Sequence, residues 1–116
     1  MDSSKDQKPL EWEEFERVDM RIATILEAVP NPKARNPSYV LTLDVGDLGQ
    51  KTSSAQITKV YSPEDLIGKQ VVVVVNFPPK RIAGVKSECL VLGAYSERGV
   101  VLLSPTHPIQ NGDVIG

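Results

Sequence analysis

Residues 71–88 have the sequence VVVVVNFPPKRIAGVKSE, and this stretch decides the fold. Its first five residues are valines, whose stiff β-branched side chains are typical of a strand that is buried on both faces. Pro78 and Pro79 have no amide hydrogen to donate to a sheet, so the strand must end before them. The remaining residues contain three cations and one glycine and predict a basic surface loop. A loop held out by a rigid core strand is a common position for a binding site.

The composition indicates one globular domain without a general affinity for polyanions. A chain of 116 residues can bury one core but not two. Its 41% hydrophobic and 24% charged residues are ordinary for a soluble protein. The net charge is −2 and the isoelectric point is about 5.4, so any nucleic-acid binding must come from a local basic patch.

The sequence also predicts the cellular location of the protein and its domain organisation. Cys89 is the only cysteine, which excludes an intrachain disulfide. No apolar run is long enough to span a bilayer, and the polar first nine residues have no signal-peptide core. We therefore expect a cytoplasmic protein in which residues 1–11 form a flexible segment and residues 12–116 form the domain.

Short strands dominate the predicted structure. Polar and apolar side chains alternate with period two from Val18 to Glu27, which predicts the first strand, and prolines follow it. A helical turn is expected around Trp12 and Phe15, and a second begins at Ser62-Pro63, which suit a cap and a first helical position. Further strands are expected at 39–45, 51–58, 71–75, 88–92 and 100–103. This order favours an all-β fold, the five-stranded OB-fold barrel with short helices, over a sandwich.

Residue patterns that would support catalysis are scarce. His107 is the only histidine and is expected in a surface loop. Cys89 lies in an expected apolar strand beside Leu90 and Val91, where a small buried side chain is the better interpretation. One histidine and one cysteine cannot form a zinc site from soft ligands. No nucleophile-elbow, phosphate-loop or dinucleotide motif is present. We therefore expect a binding protein that is not an enzyme and that holds no metal or cofactor.

The basic loop is the first candidate binding site. Arginine and lysine suit phosphate oxygens, serine and asparagine supply neutral hydrogen bonds, and glycine permits close backbone approach. An ordinary solvated turn is the alternative. The candidate residues are Asn76, Lys80, Arg81, Gly84, Lys86 and Ser87.

Two further segments are candidates to extend this site. Residues 52–56, TSSAQ, carry consecutive hydroxyl groups and an amide, which predicts a hydrogen-bonding strip on the barrel surface that includes Ser54. A plain edge strand is the alternative for this segment. Lys33 and Arg35 lie between prolines in an exposed loop, where they either extend a cationic rim or form an ordinary charged loop.

Three segments together resemble the CsaA family, which comprises small bacterial and archaeal proteins described as export-related chaperones. They are FERVDMRI at 15–22, SSAQIT at 53–58 and NFPPKRIAGVKSE at 76–88. The likeness extends from about Trp12 to Gly116. The CsaA family is itself similar to the tRNA-binding OB domains of methionyl-tRNA synthetases and of phenylalanyl-tRNA synthetase β chains.

The resemblance implies a fold, an assembly and ligands. In the tRNA-binding domains, a segment Asn-Leu-x-Pro-(Lys/Arg)-x-x-x-Gly-x-x-Ser lies in the tRNA-binding region. The resemblance also implies an OB-fold homodimer whose interface includes the N-terminal helix and the C-terminal strands. Its expected ligands are tRNA-like RNA, unfolded or pre-secretory peptides, or both, and it implies no cofactor and no catalytic residue. The matching positions in this chain are Asn76, Lys80, Arg81, Gly84 and Ser87.

The chain departs from the tRNA-binding domains at two places. Those domains usually have His-Pro-x-Ala-Asp-x-Leu after the first strand, whereas residues 31–37 here are NPKARNP. They have Ser-x-Gly-Met after the glycine of the segment, whereas this chain has Ser87-Glu88-Cys89. Glu88 therefore places a negative charge beside the expected site.

Two functions follow from these observations. In the first, the basic loops of a dimer bind the outside of a folded tRNA through its shape and phosphates, and binding weakens steeply with salt. In the second, the cations only surround an apolar groove that binds unfolded preproteins for the export machinery, and binding tolerates salt. RNA binding is the expected molecular activity and protein export the expected cellular role. The groove residues would be Phe77, Pro78, Ile82 and Val85.

Overall fold

The computed structural model describes residues 8–116, and this part of the chain consists mainly of strands. Residues 1–7, which belong to the predicted flexible segment, lie outside the described residues. The helices are α1 (Trp12–Glu16) and α2 (Pro63–Leu66), and a 3₁₀ turn spans Gly46–Leu48. The strands are β1 (Met20–Pro30), β2 (Tyr39–Asp44), β3 (Gln50–Ala55), β4 (Gln70–Val74), β5 (Lys80–Ile82), β6 (Val85–Ser87), β7 (Leu90–Val91), β8 (Gly93–Ser96), β9 (Gly99–Leu102) and β10 (Val114–Ile115).

Both predicted helices are confirmed, and local hydrogen bonds explain where they begin. The amide of Glu11 donates to Oε1 of Glu14 at 2.9 Å, which fixes the first turn of α1. At α2 the hydroxyl of Ser62 donates to Oδ2 of Asp65 at 2.8 Å. That bond, together with the bond from the Ser62 amide, lowers the pKa of the Asp65 carboxyl. Within the described range, no helix is long and apolar enough to cross a membrane.

Strand β1 is the centre of the main antiparallel sheet, whose order is β3-β2-β1-β4-β7, with β10 also paired to β1. Residues 20–24 pair with β4, and residues 24–30 pair with β2. The register with β2 shifts between Ile25 and Glu27, which marks a β-bulge. A bulge bends its strand, so β1 can form hydrogen bonds with two different neighbours along its length. This bend converts the sheet into the nearly closed barrel of the predicted OB-fold.

The core lies between the strands and comes from their alternating side chains. Leu41 and Leu43 on β2 are fully buried, whereas Val40, Thr42 and Asp44 are half-buried, as the alternation predicts. On β4 the prediction of burial on both faces is only partly correct. Val71 and Val73 are fully buried, but Val72 is half-buried because the outer face of β4 is only partly covered.

The open side of the barrel is closed by residues 87–88 against β3. The amide of Glu88 donates to the carbonyl oxygen of Thr52 at 2.7 Å, and the amide of Thr52 donates to Oε1 of Glu88 at 3.0 Å. Nearby, the amide of Ser54 donates to Oγ of Ser87 at 3.2 Å. Side-chain oxygens of Ser87 and Glu88 therefore accept hydrogen bonds from β3 that backbone pairing alone does not provide.

The expectation that residues 52–56 form a surface strip is wrong for Ser53. This side chain is only 1% exposed. Its hydroxyl donates to the carbonyl oxygen of Cys89 at 2.8 Å, which satisfies the buried polar group. Ser53 therefore belongs to the barrel closure rather than to the surface.

Several predicted boundaries also need correction. The expected strand at 51–58 ends at Ala55, and the expected strand at 88–92 is reduced to β7, with β8 following it. The expected loop at 76–88 contains the hairpin formed by β5 and β6. That hairpin is separate from the main sheet, so the valine strand still ends before the prolines as predicted.

Candidate nucleic-acid interface

The basic segment is a two-stranded ribbon, called here the basic hairpin (residues 80–87). Lys80 lies opposite Ser87, Arg81 opposite Lys86, and Ile82 opposite Val85. Because directly opposite residues share one face of a ribbon, Arg81 and Lys86 project together from the same face. The other two pairs share the second face, which therefore combines one cation, one hydroxyl and two apolar side chains.

The cations of the basic hairpin are free to meet an external anion. Lys80, Arg81 and Lys86 are all exposed. Among residues 8–116 the only ion pair joins Arg21 and Asp19, so no carboxylate neutralises the hairpin within the described chain. Like charges directly opposite each other destabilise a ribbon. A phosphate bound between Arg81 and Lys86 would relieve that repulsion.

The loop at 31–37 packs against the tip of the basic hairpin. The side-chain amide of Asn31 donates to the carbonyl oxygen of Ala83 at 3.4 Å, and Nη1 of Arg81 donates to the carbonyl oxygen of Gly84 at 3.1 Å. A Cβ placed on Gly84 would lie 3.6 Å from Cδ of Lys33. The structure thus places Lys33 beside the hairpin, and Arg35 is exposed in the same loop. A cationic rim formed by these two residues stays a prediction.

Asn76 lies at the base of the hairpin and has structural contacts that the sequence did not indicate. Its Oδ1 accepts a hydrogen bond from the amide of Asp19 at 3.0 Å, and its Nδ2 donates to the carbonyl oxygen of Arg17 at 2.5 Å. These bonds attach the end of β4 to the segment between α1 and β1. Asn76 remains exposed, and its contact with RNA stays a prediction.

Ser54 and Ser87 are brought together by the barrel closure. Both are half-buried, and the Oγ of Ser87 is used as an acceptor by the Ser54 amide. A hydroxyl that accepts one bond can still donate one, so Ser87 keeps a donor for a ligand. The two serines therefore lie between the hairpin and β3, and their role in binding is a prediction.

An accessible apolar surface accompanies the cations. Phe77 is 56% exposed and Pro78 is exposed, both at the start of the segment that leads to the hairpin. Ile82 is 37% exposed and Val85 is half-buried on the second face of the ribbon. The four residues of the predicted peptide groove can thus be reached from solvent.

Cys89 has the environment of a core residue rather than of a nucleophile. It is 5% exposed, as predicted, and burial raises the pKa of its thiol to about 11, with a smaller contribution from the charge of Glu88. A thiol of this kind remains protonated and unreactive at neutral pH. His107 is exposed in the C-terminal loop, as expected.

The position of these segments on the barrel indicates the class of protein. The loop at 31–37 joins the first two strands, and the basic hairpin follows the fourth. In OB-folds the corresponding two loops, with the face of strands 2 and 3, bind oligonucleotides and oligosaccharides. The fold and the site together define a small OB-fold binding domain.

Comparison with known proteins gives the family. The model of the family described as "Putative tRNA binding domain" matches residues 20–114. The chaperone CsaA of Bacillus anthracis is 52% identical, with a TM-score of 0.88, and the match covers 94% of this chain and 100% of that one. The CsaA chaperone of Picrophilus torridus is 43% identical, with a TM-score of 0.88 and coverage of 93% and 100%. The chain belongs to this domain family and, within it, to the CsaA proteins.

A longer relative shares the same domain. The methionine–tRNA ligase of Pyrococcus horikoshii is 32% identical over 115 residues, which is 97% of this chain. The chain spans only 16% of the length of that ligase. The predicted resemblance to CsaA and to domains of methionyl-tRNA synthetases is thus confirmed.

Proposed function

We propose that this chain is a non-catalytic, cytoplasmic tRNA-binding protein that binds tRNA-like RNA through the basic hairpin of a homodimer. The observation that carries this proposal is the exposed set of Lys80, Arg81 and Lys86, which no ion pair neutralises among residues 8–116. Lys33 adds a fourth charge at the tip. The tRNA-binding family model and the ligase relative support RNA as the ligand.

The chemistry of the hairpin favours phosphates over base edges. Arginine offers a planar fork of donors and lysine a compact charge, and both suit phosphate oxygens. Interactions of this kind position a nucleic acid but carry little sequence information. The protein as a whole has a net charge of −2, so binding depends on this local patch and should be highly sensitive to salt.

The homodimer is supported by an apolar face at the N-terminal helix. Leu10, Trp12 and Phe15 line a cavity of about 400 Å³ together with Gly116 at the other end of the chain. Trp12 is 78% exposed and Leu10 is 71% exposed in the single chain. A second copy covering this face would bury a large aromatic side chain, which favours association. Two hairpins on one dimer would also raise the avidity for a folded RNA.

The decisive experiment removes the charges of the hairpin. A variant with Lys80, Arg81 and Lys86 all replaced by Ala should bind bulk tRNA at least about tenfold more weakly in low-salt filter binding. The dependence of affinity on salt should also become shallower, by up to about 0.9 for each phosphate that the variant no longer neutralises.

A control variant changes exposed cations outside the site. Lys8→Ala combined with Lys69→Ala removes two positive charges that lie on other parts of the surface. This variant should bind tRNA nearly as the parent does. Equal losses in both variants, or no loss in the hairpin variant, would remove the proposed role of the hairpin.

A second function is favoured by the exposure of Phe77, which is 56% accessible beside the cations. The relatives from Bacillus anthracis and Picrophilus torridus are described as chaperones. Here Phe77, Pro78, Ile82 and Val85 would contact the apolar side chains of an unfolded preprotein destined for export. Because apolar burial supplies the affinity, this binding should persist when salt is raised.

The two functions can be separated with matched variants. Phe77→Ala should weaken suppression of aggregation of an unfolded preprotein, whereas Ile67→Ala, which changes an apolar residue 51% exposed elsewhere, should not. Undiminished suppression by the Phe77 variant would count against the groove. Salt titrations with tRNA and with the preprotein then show which ligand depends on charge.

A further inference from the structure

A second concave site lies next to the loop at 31–37, at the end of that loop that leads into β2. It has a volume of about 480 Å³ and is called here the Tyr95 pocket, after the aromatic residue in its wall. Small-ligand sites typically occupy roughly 300–1,000 Å³, so this volume is sufficient for one nucleotide. The lining side chains that carry the argument are Asn36, Gln56, Lys59 and Tyr95.

Tyr95 presents its ring to solvent to an unusual degree. The residue is 94% exposed, on β8 and opposite Val100 of β9, which also lines the pocket. An aromatic ring is costly to leave in water, and its flat face is suited to stacking. Tyr95 therefore offers an aromatic surface that nothing in the described chain covers.

Close packing fixes the distance between the β8–β9 ribbon and the pocket wall that contains Lys59. A Cβ placed on Gly99 would lie 2.9 Å from Cβ of Lys59, and Gly99 has a φ of +128°. Only glycine fits this combination of close approach and backbone angle. The β8–β9 ribbon is thus packed directly on the segment that carries Lys59.

Three polar side chains of the pocket remain available to a ligand. Asn36, Gln56 and Lys59 all line the pocket and are exposed to solvent, and Lys59 forms no ion pair within residues 8–116. Side-chain amides match the paired donors and acceptors of a base edge, and an aromatic face stacks on any base. An apolar peptide side chain would desolvate the same amides without pairing them, which costs free energy. A nucleotide therefore fits this site better than a peptide.

The pocket is continuous with the basic hairpin through one short loop. Lys33 lies against the hairpin tip, and Asn36 lines the pocket. Asn36 follows Lys33 by three residues, which span at most about 11 Å. A single RNA strand can therefore contact both the basic hairpin and the Tyr95 pocket. Phosphates on the hairpin would place a neighbouring unpaired nucleotide at the pocket.

We propose that the Tyr95 pocket binds one unpaired nucleotide of the RNA. Its base stacks on the ring of Tyr95, its edge is hydrogen-bonded by Asn36 and Gln56, and its phosphate lies near Lys59. This assignment rests on the proposed RNA-binding function and adds to it a preference for RNA with unstacked bases over a continuous duplex.

The test compares two RNAs and three variants. The probes are bulk tRNA, which has unpaired loops, and a blunt, fully paired RNA duplex. Tyr95→Ala should lower the affinity for tRNA about tenfold and leave duplex binding unchanged, because only the stacked base is lost. Tyr95→Phe keeps the ring and should restore most of the affinity. Val101→Ala, at a 40% exposed position on the other face of β9, is the control.

The possible outcomes distinguish the pocket from the hairpin. If the parent protein binds tRNA and Tyr95→Ala binds it equally well, the pocket assignment is overturned while the proposed function stands. An equal loss for tRNA and duplex would also overturn the pocket, because the effect would not depend on an unpaired base. If the parent protein binds neither RNA, both proposals fall. Because Tyr95 is 94% exposed, its variants should fold, and thermal melting verifies this.

Discussion

Glu88 and Thr52 exchange two hydrogen bonds across the open side of the barrel. The amide of Glu88 donates to the carbonyl oxygen of Thr52 at 2.7 Å, and Oε1 of Glu88 accepts from the amide of Thr52 at 3.0 Å. Glu88 thus supplies both the hydrogen-bond donor and the acceptor that a neighbouring strand would offer to Thr52 of β3. Because Glu88 directly follows β6, closure of the barrel also fixes the base of the basic hairpin.

Glu88→Ala should destabilise the protein by about 1–2 kcal/mol, because the part-buried amide of Thr52 loses its acceptor. Glu88→Gln keeps an oxygen at the same position and should lose less. Urea denaturation of both variants measures the difference. The Gln variant also removes a negative charge beside the hairpin, so its affinity for tRNA at low salt should rise. Equal destabilisation by Ala and Gln would show that the side-chain oxygen does not close the barrel.

The turn of the hairpin predicts a second effect. Ala83 has a φ of +48° and Gly84 a φ of +83°, so both lie in the left-handed region. An alanine there costs roughly 1 kcal/mol, whereas asparagine followed by glycine is the preferred pair for such two-residue turns. Ala83→Asn should therefore slow amide hydrogen exchange in β5 and β6 about fivefold, and Gly84→Ala should accelerate it. Exchange rates that change in the same direction in both variants would show that the left-handed turn does not limit opening of the hairpin.

Asn76 provides a third test, because its amide connects distant parts of the chain. Asn76→Ala loses the bonds to the Asp19 amide and the Arg17 carbonyl and should lower the free energy of unfolding by about 1–2 kcal/mol. Gln110→Ala is the control, since Gln110 is an exposed amide residue whose side chain makes no hydrogen bond within residues 8–116. Urea denaturation compares the two, and an Asn76 variant as stable as the control would refute the structural role.

Most of the barrel could be predicted from the sequence because its strands follow simple physical rules. The alternation in β2 indicates a strand and its buried face, and the proline-bounded valines indicate a strand but not which of its faces is less covered. The sequence predicts a basic surface segment after the prolines, but it does not give the bounds or the pairing of β5 and β6. Serine is polar, so the sequence places Ser53 at the surface, and only the structure shows its buried bond to Cys89.

The candidate site could be predicted only in part. The clustered cations and the glycine of residues 80–87 indicate a phosphate-binding loop by composition alone. The partners of Asn76 lie 57 and 59 residues away in sequence, so no local pattern reveals them. The exposure of Tyr95 depends likewise on how β8 and β9 leave the barrel. Packing between distant segments, rather than residue types, accounts for what the sequence did not show.

The proposed homodimer predicts that Trp12 stabilises association. Trp12→Ala should shift the protein toward the monomer in sedimentation at micromolar concentration, because a large aromatic surface would no longer be buried. Ile67→Ala, at an exposed apolar position elsewhere, should leave the assembly unchanged. A parent protein that sediments as a monomer would refute the homodimer itself.

Cys89 predicts a specific loss of stability in alkali. Its thiol pKa rises from 9.0 to about 11 in the fold, chiefly because of burial. Below pH 9 both folded and unfolded thiols are protonated, so the residue adds no pH dependence. Above that pH the unfolded chain releases a proton that the folded chain keeps, and stability therefore falls, by about 1 kcal/mol at pH 10. Urea denaturation between about pH 8 and pH 10.5 should show a steeper decline for the parent than for Cys89→Ala, whose side chain cannot ionise. Parallel declines would mean that the thiol titrates alike in both states.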